Sequence, residues 1–529
     1  MNTDRRRSPG FLLWSLMAIA LAGLLGCGGE SGGLKADTPS EFCPGTPVLE
    51  AVLPRVLEGD RYLSREIAQY SVDEDLAVNG GALCVEPGVT VEVAQSRRIV
   101  IGSETSAALI AVGVDENGAS APITFTSARS VPRFGDWDKI LFTSKADAER
   151  SRLENVVIEY AGAHIQHGRC GLTVESNTLS MSQVTVRNGL GMGVIFEGAD
   201  AYPTTFTDMH FEEVPEGGFS ISARYAHKLT GPISIGMGVA RVELRGSNIY
   251  DDTTLEDLGI PWDIVGDNVL MANGAVLSVA PGVTLRLGSG QRLVAGGTTE
   301  GGIEFLGTFS SPILVTTWEQ DPHPGSWDKI LVTPKTTRAV FQHVVLEYAG
   351  QLSSQGGKAA LLIGGPVDDI DGLEILSSGG FGLFIQAGAP LPSVGGPIRI
   401  EASADDAISL PPELVEFLMS STLELVDERS VIRLREGDLS GTVELTGLAS
   451  AIRVEGELRV DDGSWRLMAG DEVIFEPGAR LSVGVNGAGS LGVAGSEASP
   501  VRFTSALAEP AAGDWDGILI GALSGADTR

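Results

Sequence analysis

The chain is poor in basic residues and in cysteine. Lys and Arg together number 37 against 69 Asp and Glu, leaving a formal net charge of −32 over 529 residues. Nucleic acid and anionic lipid surfaces both need a cationic footprint, so neither is an expected partner. Divalent cations, basic proteins and neutral glycans remain compatible with such a surface. The four cysteines, Cys27, Cys43, Cys84 and Cys170, include no CxxC pair, and the six histidines are scattered, so no structural zinc site is expected. Amphipathic stretches with helical period are almost missing, which argues against a helical domain. No apolar run reaches the roughly 20 residues of a membrane span; the longest, 11–25, falls short.

That short run has a different meaning. Arg5, Arg6 and Arg7 precede it and Leu24, Leu25, Gly26 and Cys27 close it, the charge and apolar order of an export signal. LLGC resembles the lipobox of bacterial lipoproteins, in which the Cys is acylated and becomes the N-terminus after cleavage. The resemblance implies a signal peptide over 1–26, diacylation of Cys27, exported localisation and, with Gly28 rather than Asp next, delivery to the outer membrane. The anchored partner would then be the membrane itself, each buried CH₂ of the lipid contributing about 0.8 kcal/mol. Residues 27–45 begin with a Gly/Ser/Pro-rich polar tract that reads as a flexible tether. In an oxidising compartment Cys43 and Cys84 are able to bridge. Cys170 reads as a small buried apolar residue.

The remaining chain is repetitive. GDWDKIL at 135–141 returns as GSWDKIL at 325–331 and GDWDGIL at 513–519, placing Trp137, Trp327 and Trp515 at spacings of 190 and 188. Each copy opens on similar text, VLPRVLEGD from Val52, VARVELRGS from Val239 and VIRLREGD from Val431. A strand–turn–strand signal follows around Pro-Gly: ALCVEPGVTVEV from Ala82, VLSVAPGVTLRL from Val276 and VIFEPGARLSV from Val473. This alignment sets Cys84 opposite Ser278 and Ile474. PITFTS-like text then leads into the Trp motif, and IEYAG-like text ending at Gly162 and Gly350 follows it in the first two copies. The modules expected are 46–238, 239–429 and an incomplete 430–529.

A shorter beat runs inside the modules, with GLTVES at Gly171, GVIFEG at Gly193 and GFSISA at Gly218 spaced by 22 and 25 residues. One short strand per beat, Gly or Asn at the bends and few hairpin turns give the rhythm of a solenoid. The series PGVTVEV, PITFTS, GxWDxI and IEYAG resembles right-handed parallel β-helix proteins of the pectin-lyase-like superfamily, over roughly 46–529. The resemblance implies an all-β rod of tandem modules of about 190 residues, with Val, Ile and Leu ladders inside.

Enzymes of that fold cleave polysaccharides with clustered carboxylates, so a polysaccharide lyase or glycoside hydrolase is the alternative function. The sequence offers little for it. His167–Arg169 echoes a hydrolase element without paired Asp nearby, His164 and His167 have HxxH spacing in a loop, and Asp368–Gly372 is a Ca²⁺ candidate whose counterpart at Ser176 lacks carboxylates. No catalytic residue, metal or cofactor is assigned. The pairs Trp137–Asp138, Trp327–Asp328 and Trp515–Asp516 are the ligand-contact candidates, each Trp to stack on a sugar ring and each Asp to accept hydrogen bonds from its hydroxyls. The competing reading makes them structural corners. The expected function is a lipid-anchored, non-catalytic binding or scaffold rod for a glycan or envelope protein. Its third module ends 14 residues past Trp515, so self-association or a covering partner is expected at that end.

Overall fold

The computed structural model describes residues 43–528 except 116, 165–167, 176, 354–356, 428–429, 446–450 and 527. Cys27, the signal segment, most of the tether, His167 and Ser176 therefore lie outside the described residues. The rest is a parallel β-helix: the ladders between its described strands are parallel throughout. A coil of the first module contains the strands Ala82–Val85, Thr90–Val93 and Ile99–Ile101, one on each of three faces. The next coil lays Ala108–Val112, Ile123–Ser127 and Ile140–Phe142 directly upon them. Alternation along each strand sends Val91, Val93, Phe125, Ile140 and Phe142 into a continuous apolar interior.

The bends are tight. Between the first and second faces the chain turns on single residues with positive φ, stacked as Asn155, Gln183 and Asp208, and between the second and third on Tyr160, Asn188 and Glu213. The second module repeats both stacks with His343 and Gly372, and with Tyr348, Ser377 and Ala402. A residue in the left-handed region turns the strand without spending the extra residues of a loop. At the N-terminal end Cys43 and Cys84 are disulfide-bonded, and Cys170 is a buried free thiol.

Successive modules are turned by one face. The third-face strand Gly217–Ser222 is followed in its ladder by Val242–Arg245, Trp262–Val265 and Thr284–Leu287, the last being a second-face strand of the next module. The same handover recurs where Phe381–Ile385 leads through Ile408–Leu410, Ile432–Leu434 and Ile452–Val454 to Glu472–Phe475.

This corrects the alignment of the third copy. Glu472–Phe475 pairs with Arg502–Ser505 as Thr90–Val93 pairs with Ile123–Ser127, and Arg480–Val483 pairs with Gly517–Ile520 as Ile99–Ile101 pairs with Ile140–Phe142. The strand before Pro477 thus takes the second face, not the first. Cys84 still matches Ser278, but its third counterpart is Arg466, not Ile474. A Pro-Gly turn fits any corner of the ring, so turn chemistry resembles itself across corners that only ladder pairing tells apart.

Candidate functional site

The Trp motif joins two coils. Trp137 and Trp327 are fully buried, and each indole Nε1 donates to a carbonyl of the following coil, Glu159 at 2.8 Å and Glu347 at 2.7 Å. Gly162 and Gly350 donate from the backbone to the carbonyls of Asp138 and Asp328, both at 2.7 Å. The GxWDK and IEYAG stretches are therefore two sides of one corner. A buried indole offers no face to a sugar ring, so Trp137 and Trp327 make no ligand platform. Asp138 and Asp328 are buried as well. Their carboxylates face Lys139 at 3.8 Å and Lys329 at 3.3 Å, and Arg292 lies 3.5 Å from Asp328. Both lysines reach on to carbonyls of the next coil, Gly168 and Gly357.

Burial pushes the Asp138 and Asp328 carboxyls above the usual range, against the pull of their lysines, and burial pushes the Lys329 ammonium down. These groups bind coil to coil. The third pair differs: Trp515 is half-buried, stacked on Phe475 at 4.0 Å and 6°, and Asp516 is exposed. The other sequence candidates do not converge. His164 is exposed, Asp368 accepts from the Ala339 backbone at 2.9 Å, and Asp369 accepts from Gln342 at 3.0 Å. Among the described residues no group of three or more His, Cys, Asp or Glu side chains is placed to hold a metal ion.

A different place has the shape of a site. Where the first module hands over to the second, a cleft of about 670 Å³ is lined by Arg241, Asp263, Arg286, Trp318, Glu319 and Gln320. Trp318 is 42% exposed, although its Nε1 donates to the Ile264 carbonyl at 3.0 Å and its backbone N–H to Leu287 at 3.3 Å. The ring is thus fixed at its nitrogen and still partly exposed to the cleft. Asp263 is buried beside it, gripped by Arg286 through Nε at 2.6 Å and Nη2 at 2.9 Å, with Arg241 Nε at 3.3 Å. Burial raises the Asp263 carboxyl, while the two guanidinium groups oppose that shift.

Trp318 is not legible from the repeat, because no other module has an indole at its position. The same backbone bond is made by Ala128 to Val93 and by Ala506 to Phe475 in the other modules, so the indole belongs to one copy only. That singularity was the available signal. Asp263, Arg241 and Arg286 gave none, since residues 22 and 23 positions apart become neighbours only by stacking. No protein-family model matches the chain, and no curated protein or solved structure matches it either.

Proposed function

We propose that this chain is a non-catalytic β-helix rod that binds a glycan in the cleft beside Trp318 and is held at a bacterial outer membrane by lipid on Cys27. One observation carries the binding reading: an indole fixed at its nitrogen yet 42% exposed in the cleft, beside a charged trio of Arg241, Asp263 and Arg286. An open indole takes up the apolar C–H face of a sugar, and the polar groups at its edge exchange hydrogen bonds with ring hydroxyls. The lipoprotein part rests on the order of Arg5–Arg7, the apolar run and LLGC.

The rival reading is a polysaccharide lyase or glycoside hydrolase, and Asp263 with Glu319 in one cleft is what favours it. Against it, both oxygens of Asp263 are engaged by Arg286, which leaves neither free to move a proton to or from a substrate. The test is a glycan array with the whole chain, repeated with Trp318→Ala, alongside an assay for reducing or unsaturated sugar ends. Saturable binding that Trp318→Ala weakens is the expected result. Release of sugar ends would replace the proposal by the enzymatic reading. Binding to envelope proteins alone, with no glycan retained, would replace it by the scaffold reading.

A further inference from the structure

A second cavity, of about 470 Å³, opens at the same handover and is lined by Ser222, Arg224, Arg245, Ser247, Asn248 and Tyr250. It is unusual for this molecule in its charge. In a chain of net charge −32, arginines such as Arg241, Arg286, Arg338, Arg433 and Arg453 sit against carboxylates, yet among the described residues neither Arg224 nor Arg245 has a carboxylate within ion-pairing distance. Two carboxylates act on Arg245 from beyond ion-pairing distance, Glu197 and Glu243, and Glu243 is taken up by Arg241 at 2.9 Å. Asp267 stands exposed at the rim.

The donors are fixed in place. Arg245 is anchored by Nη1 to Ser220 Oγ at 3.1 Å and by Nη2 to the Phe196 carbonyl. Arg224 lies over the rings of Tyr225 and Tyr250, 5.3 and 5.5 Å from their centroids. Ring contacts hold a guanidinium without consuming its N–H groups. Asn248 donates to the Tyr250 hydroxyl at 3.0 Å, leaving the tyrosine's own proton to give. Ser222 and Ser247 share one proton at 2.9 Å, and the Arg224 backbone donates to Ser247 at 2.9 Å. One hydroxyl proton of that pair is left over whichever way it points.

The second handover supplies an internal comparison. Arg435 repeats the anchoring of Arg245, with Nη1 to Ser409 Oγ at 2.8 Å and Nη2 to the Ile385 carbonyl. Its guanidinium, however, lies over Phe384 at 4.3 Å. Ladder register puts Ile195 beside Ser220 where the second module has Phe384 beside Ser409. At the first handover the aromatic cover is therefore replaced by Ile195, and Arg245 edges the cavity instead.

We infer that this cavity binds a tetrahedral oxyanion ester, a phosphate or sulfate monoester whose alcohol part rests against Tyr250. Two guanidinium groups and two hydroxyl donors outnumber the two oxygens of a carboxylate and match three oxygens around phosphorus or sulfur. The inference goes beyond the Trp318 cleft and stands without it, because the two share only Val265 among their lining residues.

The test is calorimetric titration of the whole chain with glucose 6-phosphate, inorganic phosphate and glucose at low salt. Glucose 6-phosphate is expected to bind saturably and glucose not, with the affinity falling as salt is added. Arg224→Gln, at an exposed position, is expected to weaken that binding about tenfold or more, while Arg435→Gln leaves it unchanged. Equal affinity for glucose and its phosphate, no saturation by glucose 6-phosphate or phosphate at millimolar concentration, or an Arg224→Gln variant that binds like the parent would each overturn the inference. Loss of glycan binding in Trp318→Ala with phosphate ester binding intact would support two independent sites.

Discussion

Gly288 and Trp318 fit together because one has no side chain. A Cβ at Gly288 would lie 2.2 Å from Cζ2 of Trp318, far inside contact distance. The first module has Ala94 at this corner and Ala128 in place of the tryptophan, with matching backbone bonds. Gly288→Ala is expected to expel the indole from its seat, breaking its bond to Ile264, at a cost of about 1–3 kcal/mol. Tryptophan emission and glycan affinity should both shift. A variant whose emission shifts while its glycan affinity is kept would remove Trp318 from the proposed site.

The buried indoles should matter by position. Trp327→Ala removes a fully buried ring and its bond to Glu347, and about 3–5 kcal/mol of local stability is expected to go with it. Trp515→Ala, half-buried, should cost less. Hydrogen exchange in strands 336–347, against strands 517–520, reads the two losses separately. Equal effects would deny that the motif's role is to bind the next coil.

Asp138 gives a pH dependence with a definite sign. Burial raises its carboxyl above 3.8, outweighing Lys139. In the window between 3.8 and the raised value the folded chain holds more protons than the unfolded one, so this contribution is full at the acid end and is lost as pH rises. Asp138→Asn cannot ionise, and its melting temperature should gain on that of the parent from pH 4 upwards, in steps of about 0.5–1 pH unit. A parent that gains on the variant instead would mean that the pairing with Lys139 dominates.

Cys27→Ser is expected to abolish incorporation of labelled palmitate and to release the chain from the membrane fraction of an expressing bacterium. Labelling that survives the substitution would sink the lipoprotein reading.

Much of the ring was legible in the residues. Period-two alternation around Val91 and Leu285, and the Trp motif met three times, led to a stacked parallel solenoid without any tertiary information. The corner made by Trp137 and Tyr160 was half legible: repetition at fixed register marked it, but whether its indole faced out or in depended on the coil laid over it. The third Pro-Gly turn misled, because Pro477 and Gly478 obey the rule for a bend and say nothing of which bend.

The period, the apolar ladders and the bends are set along the chain, since each follows from residues near one another, and the acidic surface follows from composition. How far one module is turned against the next is settled only when the coils stack. That turn sets Val242–Arg245 upon Gly217–Ser222, brings Asp263 between Arg241 and Arg286, and leaves Arg245 beside Ile195 rather than an aromatic ring. Its physical reason is that any of three faces can accept the next strand's hydrogen bonds equally well, so local preference is silent and the summed pairing of the whole ladder makes the choice.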